Sequence, residues 1–348
     1  MTIGIALLGA GIFATEQHLP AILSAPSLSL KALYSRSQSS VAKLASALSS
    51  PVPLYYDSPS SDNTLDALLA RDDITAVIVV LPILAQPAII KKALLAGKHV
   101  LSEKPVAANL SDAKDLIAWY AALGDAKPLW AVAENFRYIP SLEYAAAQLA
   151  EAGGRVTTFR LARNGLVKAE DKYFNTEWRK TPGYQGGFLL DGGVHFVAAL
   201  RMLLGAVGER VKQVVGFSGL LEERLLPVDT VSAVALTEGG RSGTVHMSFG
   251  TEFKSGLEVE VVTDKGAVTW SPTGVTVVKK VGGERVEEKK EFEYSSGVAR
   301  EVVGFAEALK RGQLEERQTP AEALRDLEVL QKLLESGEEK AVLKSLAL

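Results

Sequence analysis

The stretch Ile3-Gly4-Ile5-Ala6-Leu7-Leu8-Gly9-Ala10-Gly11-Ile12-Phe13-Ala14 decides the fold. Residues 3–8 form a short apolar run that fits a strand buried on both faces. The glycines after it match G-x-G-x-x-G/A, with Ala14 in the last place, and lead into a helix read through about Ser24. Glycines between a first strand and a helix permit a tight turn and a close backbone approach to a pyrophosphate. The helix amino end then favours the negative charge. Gly9, Gly11, Ile12 and Phe13 are therefore expected to hold a dinucleotide. Pro20 is expected to kink this helix or end its first part.

The strand–helix alternation continues to Glu134. A second strand over 28–34 ends in Ser35-Arg36-Ser37. An acidic residue there would hold ribose hydroxyls, whereas an arginine accommodates a 2′-phosphate. Arg36 flanked by Ser35 and Ser37 predicts NADP(H) over NAD(H), the plainer alternative being a solvated turn. A helix over 37–48, a strand over 51–56, a polar turn over 58–63 and a helix over 64–70 follow. The most β-prone run, 75–81, reads as a central parallel strand stopped by Pro82. Leu81 and Pro82 at its exit count among the expected cofactor contacts. A helix over 83–96 closes on Gly97. Next comes Lys98-His99-Val100-Leu101-Ser102-Glu103-Lys104-Pro105, a buried strand that stops on a glutamate, a lysine and a proline. The proline keeps Lys104 in extended backbone at a strand exit, where it can titrate, donate a proton or pair with an anion. A helix over 111–123, with Ser111 as N-cap, and a strand over 129–134 complete a doubly wound parallel sheet.

From Asn135 the texture changes. A helix over 141–151 precedes runs that alternate like strands at 155–163, 211–218, 230–236, 243–249, 257–263, 267–270, 275–279 and 287–294. Short turns with Gly, Pro or Asp separate most of them, which predicts a large, mostly antiparallel open sheet in a second, α+β domain. The expected division is 1–134 for the nucleotide-binding domain and 135–348 for the substrate and oligomerisation domain. One helix over 186–204 sits among the strands. Amphipathic helices over 299–310 and 321–334 close the chain, the last opened by Thr319-Pro320 and expected to pack back on the first domain. Asp191 and His195 are four residues apart, so a helix puts them on one face. An aspartate within reach of a histidine fixes its tautomer and tunes it for acid/base work. A capping aspartate beside a satisfied core histidine is the plainer alternative.

At 348 residues the chain exceeds what one hydrophobic core usually supports, so two domains are expected. A formal net charge of -3 and the lack of a long basic run argue against nucleic acid or an anionic membrane as partner. With no cysteine, disulfides and thiolate nucleophiles are excluded. His18, His99, His195 and His246 show no ligand spacing, and no metal site is expected. No stretch reads as a membrane span and no signal segment opens the chain, so a cytoplasmic location is expected.

Gly9-Ala10-Gly11, Glu103-Lys104-Pro105 and Gly187-x3-Asp191-x3-His195, in that order, resemble the glucose–fructose oxidoreductase / inositol dehydrogenase / rhizopine-catabolism (Gfo/Idh/MocA) family over essentially the whole chain. With Ala133-Glu134-Asn135 and Thr176-Glu177-Trp178-Arg179, the chain is most similar to a fungal cytosolic NADP-dependent branch. The resemblance implies a Rossmann domain followed by an α+β domain whose open sheet faces the nicotinamide and forms a homodimer. It implies Lys104 near cofactor and substrate, and Glu103, Asn135, Trp178 and Arg179 at the cofactor. Asp191 and His195 would line the substrate side, with the histidine as acid/base. Arg137 and Tyr184 are read as further polar contacts to substrate. Leu84-Ala85-Gln86 stands where many relatives carry a histidine, and Ala198 where many carry an aspartate, which leaves the substrate open. The implied activity is hydride transfer between NADP(H) and a secondary alcohol or carbonyl of a sugar, polyol, dihydrodiol or related small carbonyl compound. A catalytically silent NADP(H)-sensing regulator of the same fold is the alternative, and an enzyme that recycles tightly held cofactor is a third reading.

Overall fold

The computed structural model describes residues 2–58 and 62–348, so the polar turn expected over 58–63 lies partly outside the described residues. The chain divides into two compact units, one of residues up to Glu134 with Val298–Leu324, the other of Asn135–Gly297 with Arg325–Leu348.

The first unit is built on β1 (Ile3–Leu8), β2 (Leu28–Ser35), β3 (Leu54–Tyr56), β4 (Ala76–Val79), β5 (His99–Glu103) and β6 (Trp130–Ala133). They pair in parallel in the order β3-β2-β1-β4-β5-β6. The winding direction reverses between β1 and β4, the place where such sheets open a crevice beyond their carboxyl ends. Helices α1 (Leu19–Ser24), α2 (Gln38–Ala45), α3 (Leu65–Leu69), α4 (Gln86–Leu95) and α5 (Leu110–Ala121) connect the strands. The strands read as continuous apolar runs because both faces are covered: Ile5 to Leu8 and Ala76 to Val79 are buried without exception.

One local expectation needs correction, and one is met. The N-cap of α5 is Asn109, whose Oδ1 accepts the Asp112 N–H at 2.9 Å; Ser111 lies inside the helix. Asn109 has the extended backbone a cap requires. The helix after the glycine turn does break near Pro20, through a π-helical stretch at Ala14–His18 in which the Leu19 N–H reaches Ala14 O. Pro20 has no N–H to continue an i→i−4 ladder, and the widened turn absorbs that loss.

The second unit contains α6 (Pro140–Ala152), β7 (Val156–Asn164), α7 (Glu177–Lys180), α8 (Gly187–Gly205), β8 (Val211–Gly219), β9 (Thr230–Thr237), β10 (Ser242–Ser248), β11 (Gly256–Thr263), β12 (Gly266–Ser271), β13 (Gly274–Val281), β14 (Glu284–Glu291) and β15 (Lys344–Ser345). The nine strands form one sheet in the order β14-β13-β12-β11-β7-β10-β9-β8-β15. All pairs are antiparallel except β7 with β10. Side chains alternate as the strand period demands: Phe159, Leu161, Val245, Met247, Val259 and Val261 are buried, while Arg160, Thr244, His246 and Glu258 lie on the other face. The buried face is covered by α6, whose Ser141 Oγ accepts the Trp270 Nε1–H at 2.9 Å, and by α8. By length and composition α8 could cross a membrane, contrary to the expectation of no such run, and 72% of its apolar window is buried inside the protein.

The closing helices exchange the places expected of them. Helix α9 (Val298–Arg311) belongs to the first unit, because its apolar stripe of Val298, Val302, Phe305 and Ala306 joins the core of β1 and α1. Helix α10 (Pro320–Glu338) starts in the first unit, but from Arg325 on it belongs to the second, where Leu330 lies against Gly193 of α8 and Leu334 against Gly186 just before that helix.

Candidate active site

Side chains with chemical potential gather in one place within each unit. In the first, β1 ends at a glycine turn that tolerates no substitution at Gly9. Its φ is +123°, and a Cβ there would lie 2.1 Å from Val80 O. Gly11 has open space where a Cβ would point. The helix then begins at Ile12 and Phe13 with no side-chain cap, so its first amides face outward as in an anion site. At the end of β2, Arg36 is exposed, and among the described residues no carboxylate pairs with it. Ser37 is partly committed to the fold: its Oγ accepts the Ser40 N–H at 3.3 Å as the cap of α2. Ser35 is half-buried. The nearby Asp57 accepts the Tyr34 hydroxyl at 2.8 Å, and burial first, then that bond, pushes the Tyr34 phenol well above its ordinary range. Leu81 and Pro82 are half-buried at the exit of β4. Beyond them Gln86 is buried with both amide atoms unpartnered among the described residues. An open glycine turn, an uncapped helix start and an unmatched arginine at β2 fit a dinucleotide.

At the exit of β5, Lys104 is half-buried and joined to Pro105 by a cis peptide bond. Glu103, expected at the cofactor, has a neighbour within the unit: its Oε1 lies 2.6 Å from His18 Nε2, both side chains being buried. The sequence reading missed this role of His18. A histidine in the helix after the glycines was the only signal for it.

In the second unit, Asp191 and His195 do share one face of α8. The Asp191 carboxylate accepts Arg179 Nε at 2.8 Å, a pairing the sequence did not announce. The Arg179 guanidinium also lies 4.0 Å over the ring of Trp178, so both members of the expected cofactor pair are held by residues of α7 and α8. The His195 ring stacks on Phe136 at 4.6 Å and 14°, which fixes its plane. Tyr184 is half-buried with its hydroxyl shielded and without a partner among the described residues. Burial, then the Asp191 charge, pushes its phenol well up, with Arg179 opposing. Asn135 donates Nδ2 to Ser296 O at 2.5 Å and leaves Oδ1 buried without a partner among the described residues. Arg137, expected at substrate, is buried and joined to Asp326, which also holds Arg201. That ion triad explains why α10 needs an aspartate inside, and it gives Arg137 a partner within the fold. Among the described residues no cluster of three or more His, Asp or Glu could hold a metal ion.

The pattern described as "Oxidoreductase family, NAD-binding Rossmann fold" matches residues 3–126, and "Oxidoreductase family, C-terminal alpha/beta domain" matches 148–344. The chain belongs to the Gfo/Idh/MocA oxidoreductase family. It is 53% identical to "Dehydrogenase FPY6" of Fusarium mangiferae over 337 residues, 96% of each protein. It is 32% identical to "Uncharacterized protein YMR315W" of Saccharomyces cerevisiae over 323 residues, 89% of this chain and 88% of the other. Among solved structures, an oxidoreductase (TM0312) from Thermotoga maritima superposes with a TM-score of 0.82 at 26% identity, covering 97% of both chains. As a Gfo/Idh/MocA member the chain carries an NAD(P)-binding Rossmann domain and acts as an alcohol or carbonyl oxidoreductase.

Tyr184→Phe removes a buried hydroxyl that has no hydrogen-bond partner among the described residues. It should leave stability unchanged or raise it by about 1 kcal/mol, read as the urea midpoint. A loss of that size would mean that the hydroxyl is bonded within the fold.

Proposed function

We propose that this chain is an NADP(H)-dependent oxidoreductase that moves a hydride to or from a secondary alcohol or carbonyl carbon of a small sugar, polyol, dihydrodiol or related compound. The observation that carries the cofactor choice is Arg36, exposed at the end of β2 without a carboxylate partner, with Asp57 already taken by Tyr34. A guanidinium fork in that place suits a 2′-phosphate, whereas a carboxylate would suit ribose hydroxyls.

The hydride chemistry is supplied by the nicotinamide when it is bound. The chain's share is proton transfer and stabilisation of charge. In reduction, His195 delivers a proton to the carbonyl oxygen as the carbon becomes an alcohol; in oxidation it takes the hydroxyl proton. Its stack on Phe136 keeps the ring in one plane for both directions. Lys104 donates a hydrogen bond to the reacting oxygen and stabilises the charge that develops there. The Tyr184 hydroxyl, unpartnered and held in its protonated form by burial, donates to a substrate oxygen. Arg179 neutralises Asp191, so that the carboxylate can stay ionised although it is buried.

The protein works in the cytoplasm as a homodimer formed through the outward face of the second unit's sheet. Phe217 and Val234 stand exposed on that face, 65% and 46% respectively, an apolar surface that suits a second copy.

Lys104→Ala and His195→Ala should each lower turnover by about two to four powers of ten, measured as NADPH oxidation across a panel of carbonyl compounds. Near-wild-type turnover of both variants would end the assignment. Arg36→Ala should weaken NADPH about tenfold or more and leave NADH nearly untouched, measured by cofactor fluorescence. An unchanged preference for NADPH would remove Arg36 from that role. Sedimentation at micromolar concentration should give a species of twice the chain mass, and a monomer would refute the dimer.

A further inference from the structure

Between Leu189 and Leu200, α8 is buried except at Gly192 and His195; Phe188, one turn before Gly192, is also half-buried. These three positions form one stripe of the helix. Beside it the Phe249 ring crowds Gly192 so closely that a Cβ would lie 2.7 Å from its Cζ, and it meets the Phe188 ring edge-on at 5.1 Å. Farther along the helix, Phe136 stacks on His195 and lies 6.0 Å from the Phe196 ring. The side chains packed along this stripe are thus aromatic: Phe136 at His195, and Phe188 and Phe249 at Gly192.

A cation borders this stripe. Arg163, near the end of β7 and half-buried, lies with Cζ 4.8 Å over the Phe249 ring and 5.7 Å over the Phe196 ring. Among the described residues its guanidinium makes one hydrogen bond, a long one from Nη1 to Ser248 O at 3.3 Å. Four other arginines of this unit set among packed residues have carboxylates: Arg179 has Asp191, Arg137 and Arg201 share Asp326, and Arg224 has Glu222. No carboxylate pairs with Arg163 among the described residues. Burial alone pulls its guanidinium below the usual arginine range. The rings cover the faces of the guanidinium and cannot satisfy its N–H edge, which carries five donors. A half-buried cation whose donors are left over is matched to an anion that arrives with a ligand.

We propose that Arg163 anchors an anionic group of the substrate, and that the substrate joins a carboxylate or phosphate to a flat, apolar body such as an aryl group seated along Phe188 and Gly192. This rests on the oxidoreductase reading, in which His195 serves the reacting oxygen. It narrows the substrate from a neutral polyol to an aromatic or similarly flat hydroxy or oxo compound that bears a negative charge.

Calorimetric titration of the whole protein with benzoate, phenyl phosphate and benzamide tests the anchor without any need for turnover. Benzoate or phenyl phosphate should bind about tenfold or more tightly than benzamide, their neutral counterpart of like shape. The better of the two anions tells carboxylate from phosphate. Arg163→Gln should abolish the difference, Arg163→Lys should keep part of it and also guards against a folding defect in the first variant, and His195→Asn should leave it intact. Equal binding of benzamide, a preference that survives Arg163→Gln, or no binding of either anion overturns the proposal. Turnover of neutral ketones that depends on Lys104, without any anion preference, would sink the anchor and keep the oxidoreductase. Anion preference without turnover of any carbonyl would do the reverse.

Discussion

Two buried side chains, His18 and Glu103, touch at 2.6 Å and join the helix after the glycine turn to the last residue of β5. Much of the first unit's chemistry depends on that contact. The π-helical stretch that ends at His18 turns the ring inward, and Glu103 immediately precedes Lys104. The glycine turn and the lysine-bearing strand exit are therefore held in fixed relation across the reversal point of the sheet. Removing either partner leaves the other buried without its hydrogen bond, a loss of about 1–3 kcal/mol. Gly9 adds a steric constraint to the electrostatic one, since only a residue without a side chain lets β1 close on Val80.

The second unit meets the same problem, the placement of charge in a packed interior, with two further pairings. Asp326 holds Arg137 and Arg201, and Asp191 holds Arg179. Helix α8 carries the chemistry at some cost in helix propensity, for Gly187, Gly192 and Gly193 all lie within it. The packing explains the glycines. Phe249 presses on Gly192, and Leu330 presses on Gly193. Those contacts bring the sheet and α10 against the helix at the turns that present Asp191 and His195.

What could be read in the sequence was what is local or periodic. The continuous apolar runs of the first sheet, the two-residue alternation of the second, the glycine turn and the lysine before a proline all announce themselves within a few residues. Asp191 and His195 were visible as a helical pair for the same reason. Partners far apart in the chain were not: His18 is 85 residues from Glu103, and Arg137 is 189 from Asp326. An isolated arginine next to an aromatic residue looks equally suited to a substrate or to a buried carboxylate, and for Arg137 the tertiary fold chose the carboxylate. The amphipathic stripe of α9 declared that it would be buried but not in which unit. The cap of α5 was misplaced by two residues because Asn109 and Ser111 are both good caps and only backbone geometry separates them.

Both margins of the nine-stranded sheet are closed to a further strand. At one margin β14 reads Glu284-Arg285-Val286-Glu287-Glu288-Lys289-Lys290-Glu291, a row of solvated charges that an incoming strand would have to desolvate. At the other, β8 is capped piecewise: β15 pairs at Gln213 and Val214, the Gly216 N–H goes to Ser336 Oγ, and Gly337 of α10 packs on Ser218. A sheet of this width would otherwise be a template for open-ended fibrous growth. Its blocked margins leave no open row of amides and carbonyls for such growth.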